Sequence, residues 1–184
     1  MREFLFSMIG VLLGSFTTFL GAVAQARSAR RQDLITELRK ERREVYGVYL
    51  ASIKRMRLVV AGIAAGQGLD AEAEPIDAES GMRELARLDD ERGIAQEGVN
   101  FAGSTEVILA SRDLNMKVWD LGNIVKGHAA ADQQIWLECM SNYVASIDSF
   151  IRWSRASLGV VDLYPDRQGG PAYPERWSMG FPSA

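Results

Sequence analysis

The chain has 184 residues, of which 24% are charged and 47% are hydrophobic, and its net charge is −3. This length suffices for one domain with a modest core, and the slightly acidic balance argues against nucleic acid as a partner. A single cysteine excludes an intrachain disulfide, and a single histidine excludes every metal site that needs two histidines.

The first element along the chain is an uncharged segment of 21 residues, 4–24. As a helix it would span about 31 Å, close to the ~30 Å hydrocarbon core of a bilayer. We therefore predict a transmembrane helix over residues 4–24, with membrane lipid as its partner. The alternatives are a buried helix of a soluble core and a signal peptide, with small-x-small cleavage patterns at residues 22–24 and 24–26. The apolar run is longer than the usual core of a signal peptide, which favours a retained anchor.

The charges that follow predict the orientation of this anchor. Basic residues cluster on its C-terminal side: Arg27, Arg30, Arg31, Arg39, Lys40, Arg42 and Arg43. By the positive-inside rule, the N-terminus of a single-pass protein of the cell inner membrane then lies outside, and the domain that follows is cytoplasmic. The same residues suit contact with anionic lipid headgroups, although basic charge is ordinary beside a membrane span.

Small residues inside the predicted span indicate self-association. Gly10 and Gly14 form a GxxxG pair, and Gly21 extends the stripe of small residues along nearby faces. Such stripes let two membrane helices approach closely, so that van der Waals packing holds them together. A homodimer through these glycines is one hypothesis. The alternative is that the stripe is incidental, because glycine is common in membrane helices and a single GxxxG pair often arises by chance.

The rest of the chain is predicted to be all-α. Proline is absent from residues 1–74 and 76–164, and apolar residues recur at intervals of three and four. We predict helices over about 31–65, 77–100, 104–127 and 130–158, which short connections would join into an antiparallel four-helix bundle within residues 27–159. The second helix is the weakest, because Asp89, Arg92 and Gly93 interrupt its apolar stripe. Residues 27–57 carry a net charge of +6 and residues 70–97 carry −7, which favours pairing of the helices that they form.

The last segment, residues 160–184, is rich in proline, glycine and aromatic residues, and we predict an irregular tail. Its aromatic side chains suit either wrapping of the bundle or presentation of a peptide to a partner.

No sequence motif indicates catalysis, a cofactor or a metal, so no catalytic, cofactor-binding or metal-ligating residue is predicted. His128, next to Gly127, is expected in a last helical turn or a loop. Cys139 is expected to be a half-buried side chain of the fourth helix. Asp89, Asp90 and Glu91 are consecutive and would diverge by about 100° each on a helix, which is typical of a solvated face.

Three short motifs carry a resemblance. They are Arg-x-x-Arg-Arg-x-x-Tyr at residues 39–46, Gly-Ser-x-Glu-Val at 103–107 and Phe-Ile-Arg-x-x-Arg-x-x-Leu-Gly at 150–159. With the predicted anchor, this layout resembles small single-pass helical proteins of high-GC Gram-positive bacteria and their phages. The resemblance covers roughly residues 4–159 and implies topology and fold, but no functional residue.

Together these patterns favour a non-enzymatic, membrane-anchored helical protein that tethers a protein partner, or a second copy of itself, at the inner membrane surface. One alternative is a phage or prophage factor that acts on the envelope, as an accessory of lysis or exclusion. The other is a membrane-bound enzyme of a type that the sequence does not reveal.

Overall fold

The computed structural model describes the backbone of residues 2–160 and the side chains of residues 25, 27 and 30–160. These residues form four α-helices and no strand, which confirms the all-α prediction for the described part of the chain. The helices are α1 (Arg2–Gly66), α2 (Ala78–Ala102), α3 (Thr105–Val125) and α4 (Gln133–Ser157). The chain divides into two units, Met1–Glu41 and Arg42–Ala184.

Helix α1 covers both the predicted membrane span, 4–24, and the predicted first helix of the bundle, 31–65. It forms one helix because residues 25–30 contain no proline or glycine to end it. The unit boundary at Arg42 also falls inside the predicted bundle range of 27–159. Helices α2 and α4 have 25 residues each and α3 has 21, so each of them is less than half as long as α1, which has 65 residues.

The predicted membrane span lies outside the residues with described side chains, and so do Gly10, Gly14 and Gly21 within it. Where side chains are described, no helix is sufficiently long and apolar to cross a membrane. Residues 161–184 of the predicted tail are likewise outside the described residues.

Side-chain caps and glycines mark the helix ends. The Asp77 carboxylate accepts a hydrogen bond from the Ser80 N–H at 2.9 Å, and Asp132 accepts one from the Ile135 N–H at 2.9 Å. These N-caps satisfy donors that the first turns of α2 and α4 leave unpaired. After α1, Gly68 has a φ of +77°, and the Leu69 N–H donates to the Ala64 carbonyl at 2.9 Å. A left-handed glycine in this position ends the helix and satisfies its last carbonyls.

Within the second unit, contacts between helices establish their directions. Arg55 of α1 pairs with Glu91 of α2 at 3.4 Å, and Ile63, further along α1, packs against Gly81, earlier in α2. Contacts therefore move backwards along α2 as they move forwards along α1, so the two helices are antiparallel.

Helices α3 and α4 continue the same alternation. Tyr49 of α1 bonds to Ser111 of α3, and Gln67, directly after α1, bonds to Val125 at the end of α3, so α1 and α3 are parallel. Tyr46 of α1 bonds to Ser157, at the end of α4, whereas Asp70, just after α1, bonds to Trp136, near the start of α4. The second unit is thus a helical bundle whose successive helices run in opposite directions.

All four helices contribute to one hydrophobic core. Its largest fully buried side chains are Tyr49, Ile53, Met56, Val60 and Ile63 from α1, Leu85 and Leu88 from α2, Leu114 and Leu121 from α3, and Trp136, Met140 and Phe150 from α4. Phe150 makes edge-to-face contacts with Tyr46 and Tyr49, with ring centroids 6.1 and 5.0 Å apart. These rings join α1 to α4 at one end of the core.

Candidate functional site

The described side chains of the first unit, up to Glu41, are all exposed. Three of them are large and apolar: Leu34 is 65% exposed, Ile35 45% and Leu38 52%. Since α-helical residues are related by about 100°, these three side chains share an arc of about 140° with three arginines. We call this set the cationic face: Arg27, Arg31, Leu34, Ile35, Leu38 and Arg39.

The acidic residues of this stretch lie elsewhere on the helix. Asp33 and Glu37 project from the opposite side, and Glu41 lies just outside the edge of the arc. Lys40 pairs with Glu37 at 3.9 Å on that opposite side. The cationic face therefore combines apolar and basic side chains and contains no carboxylate, whereas the opposite side is mixed in charge.

The structure sorts the seven predicted juxtamembrane basic residues into different positions. Arg27, Arg31 and Arg39 belong to the cationic face, whereas Arg30 and Lys40 lie outside its arc. Arg42 and Arg43 belong to the second unit, where Arg42 is partly buried and Arg43 is exposed. The sequence identified the basic cluster, but not the three leucine and isoleucine side chains that share a face with part of it.

A second exposed apolar surface lies on α3. Leu109, Met116 and Trp119 are 58%, 57% and 56% exposed, and Arg112, also exposed, lies between the first two. Their spacing of three and four residues places them on one side of α3, away from its buried side. We call these four residues the α3 row.

Polar side chains also meet inside the bundle, between α1, α2 and α3. The Tyr49 hydroxyl, which is fully buried, lies 2.8 Å from the Ser111 carbonyl and 2.9 Å from Asn115 Oδ1, and donates its one proton to either acceptor. Asn115 Nδ2 donates to Gln96 Oε1 at 2.7 Å, and Gln96 Nε2 donates to Ser111 Oγ at 2.9 Å and to Asn100 Oδ1 at 3.2 Å. Burial raises the pKa of Tyr49, so its hydroxyl remains a neutral donor.

This polar network was not predicted from the sequence. Tyr49, Gln96 and Ser111 stand at interior positions of their helices, whereas Asn100 and Asn115 are half-buried at the edge of the interior. Ser111 and Asn115 are four residues apart on one side of α3. The sequence signal that could have revealed the network is the presence of polar residues at helix positions whose spacing assigns them to the interior. A chain of buried hydrogen bonds of this kind favours one helix pairing over others, because a shifted register would leave its members unsatisfied.

Asp70 is one of the residues that hold the segment between α1 and α2, residues 67–77, against the bundle. Asp70 Oδ1 accepts from the backbone N–H groups of Glu72 and Ala73 at 3.0 and 3.1 Å. Asp70 Oδ2 accepts from the indole N–H of the buried Trp136 at 3.3 Å. One carboxylate of this segment therefore has a structural role.

The residues that interrupt α2 in the sequence are accommodated by pairing. Arg92 is only 8% exposed, and its guanidinium donates to Asp89 at 2.7 Å. Glu91 instead pairs with Arg87 and Arg55. The side chains of Asp89, Asp90 and Glu91 therefore do not meet at one site. This agrees with the divergence that their helical spacing predicted.

Neither His128 nor Cys139 forms part of a reactive cluster among the described residues. His128 is exposed and follows α3, where its backbone N–H donates to the Asn123 carbonyl at 2.9 Å. Cys139 is half-buried; burial, assisted by Asp120 and Glu138, raises the pKa of its thiol. In the part of the chain that the structure describes, no group of three or more His, Cys, Asp or Glu side chains is placed to hold a metal ion.

Comparison with known proteins adds no functional residue to these surfaces. No protein-family model, curated protein or solved structure matches the chain.

Proposed function

We propose that the chain is a non-enzymatic, single-pass membrane protein whose helical bundle holds a protein partner at the inner surface of the cell membrane. The observation that carries this proposal is the continuity of α1. The helix includes the uncharged residues 4–24 and runs directly into a stretch with exposed arginines. An apolar, bilayer-length helix followed by basic residues is the pattern of an anchor whose C-terminal side is cytoplasmic.

Two exposed surfaces support binding of a protein. The cationic face and the α3 row both expose large apolar side chains beside arginine, and exposed apolar patches rimmed by polar groups are frequent at interaction sites. Arginine, methionine and aromatic residues are also enriched where proteins meet.

Membrane extraction tests the anchor. We expect the untagged full-length chain to remain in the membrane pellet after alkaline carbonate treatment and to be released by detergent. Deletion of residues 2–24 should transfer the chain to the supernatant. A full-length chain that is soluble without detergent would contradict the proposal.

Self-association through Gly10, Gly14 and Gly21 belongs to the same proposal. Replacement of Gly10 and Gly14 by isoleucine should abolish dimers in a membrane-association assay, because bulkier side chains keep the helices apart. The same replacement at Gly47, an exposed glycine later in α1, serves as the control. Dimers that persist in the double variant would show that the glycine stripe is incidental.

A further inference from the structure

Among the described surfaces, the cationic face has the composition that most clearly indicates the chemistry of a binding partner. Over residues 27–39 it extends for about 18 Å along α1, or somewhat more than three helical turns. Among the described residues, Arg27, Arg31 and Arg39 form no ion pair, and Leu34, Ile35 and Leu38 are about half exposed or more. Apolar side chains flanked by unneutralised guanidinium groups match a surface with apolar side chains flanked by carboxylates.

We propose that the cationic face binds an acidic amphipathic helix of a protein partner, in which an apolar stripe is flanked by aspartate and glutamate. The inference rests on the proposed tethering function and names the chemistry of the partner that would be tethered. A helix is the natural occupant, because a straight row of side chains at intervals of three and four packs against a similar row. Arginine adds geometric preference, since its planar guanidinium pairs with both oxygens of a carboxylate.

A second copy of the chain fits this face less well. Arg31 lies near the middle of the arc, so two copies in parallel would place the Arg31 side chains against one another. Like charges at a seam are unfavourable, and the face contains no carboxylate to compensate.

A lipid surface is also a poorer match for the whole face. If residues 4–24 cross the bilayer, Leu38 lies 14 residues beyond the span, or about 21 Å further along the same helix. The headgroup region on each side of the hydrocarbon core is only about 5–8 Å thick. Lipid headgroups would therefore reach Arg27, but not Leu38 or Arg39.

A titration with designed peptides tests the proposal. The probes are two synthetic helices of about three heptads, each with leucine at the apolar seam; one has glutamate at the flanking positions and the other has lysine. Binding to the full-length chain in phosphatidylcholine nanodiscs is followed by fluorescence anisotropy. We expect the glutamate peptide to bind at least about tenfold more tightly than the lysine peptide, with an advantage that decreases as salt is added.

Charge reversal locates the binding. The variant R27E/R31E/R39E should weaken binding of the glutamate peptide by at least about tenfold and should instead prefer the lysine peptide. The matched control, K54E/R83E/K126E, changes the net charge equally at exposed positions of the bundle that lie outside both the cationic face and the α3 row, and should leave the preference unchanged. Likewise L34S/L38S should weaken binding of the glutamate peptide, whereas L58S/L137S, at exposed leucines of the bundle, should not.

Several results would overturn the proposal. These are equal affinity for the two peptides, no effect of the charge reversal, and an equal effect of the two charge-reversed variants. Face variants that changed only self-association, measured by sedimentation velocity, would identify a second copy as the occupant. Variants that changed only binding to nanodiscs containing phosphatidylglycerol would identify lipid. If the chain does not enter nanodiscs, the anchor proposal fails, but titration of the free chain still tests this inference.

Discussion

The two parts of helix α1 have the same spacing of apolar residues and opposite surroundings. Before Arg42, Leu34 and Leu38 are 65% and 52% exposed. After Arg42, Tyr49 and Ile53 are fully buried. One amphipathic pattern thus includes a face in contact with water and a face in the core.

The spacing of apolar residues therefore identifies an apolar face of a helix but does not identify what covers that face. In the bundle, α2, α3 and α4 cover α1 with large side chains in close contact. On the cationic face, before Arg42, the three apolar side chains are flanked by arginines rather than by further apolar residues. A surface of that composition remains suited to a partner, whereas the composition of the later part is typical of a core.

The largest expected effect that tests this comparison is truncation of a core aromatic. Phe150→Ala removes a ring that is 1% exposed and packs against Tyr46 and Tyr49, so we expect a loss of about 3–5 kcal/mol in the free energy of unfolding. Leu38→Ala should change it by less than about 0.5 kcal/mol, because the side chain is already exposed. Urea unfolding followed by circular dichroism measures both. Similar losses for the two variants would show that Leu38 is as buried as the Phe150 ring that packs on the later part of α1.

A smaller effect is expected at the close approach of α1 and α2. A Cβ atom at Gly81 would lie 2.7 Å from Ile63 Cγ1, so Gly81→Ala should destabilise the bundle by about 1–3 kcal/mol. Gly93, in the same helix, has open space around its Cα. Gly93→Ala should therefore stabilise α2 by up to about 1 kcal/mol through helix propensity. The two midpoints of thermal unfolding should move in opposite directions; a Gly81→Ala variant as stable as the parent would contradict the packing.

The helices of this fold could be predicted from the sequence, for physical reasons. Periodicity and the positions of proline and glycine predict helices, because helix geometry is local. Interactions between distant residues were not accessible in the same way: the hydrogen bond from Trp136 to Asp70 joins residues 66 positions apart. The same holds for the network around Tyr49, whose members come from three helices.

For the candidate site, the sequence predicted the basic cluster but assigned Leu34 and Leu38 to the bundle. Their exposure depends on where the other helices end, and apolar spacing contains no information about that. The roles of residues 4–24 remain predictions, since their side chains lie outside the described residues.

The polar network allows a test with a single atom. Tyr49→Phe removes the buried hydroxyl and leaves Asn115 Oδ1 or the Ser111 carbonyl without that donor, so we expect a loss of about 1–2 kcal/mol in the free energy of unfolding. Thr36→Ala removes a hydroxyl that bonds to the Gln32 carbonyl at 2.9 Å on the exposed part of α1. Its effect should be within about 0.5 kcal/mol of zero. A double-mutant cycle of Tyr49→Phe with Asn115→Ala should show non-additivity, and strict additivity would argue against a connected network.

The smallest effect concerns pH and the first turn of α2. Hydrogen bonds from the backbone N–H and side chain of Ser80 hold the pKa of the exposed Asp77 carboxyl below its ordinary value of 3.8. Because the folded-state pKa lies below the unfolded one, the contribution of Asp77 to stability is complete above about pH 4 and is lost as the pH falls through the folded-state value. Asp77→Asn retains a good N-cap without the titrating carboxyl. The stability of the parent relative to this variant should therefore decrease on acidification. A difference that is independent of pH would mean that the Asp77 carboxylate does not cap α2, and that packing of the helix against the bundle, at Gly81 among other residues, holds its first turn in place.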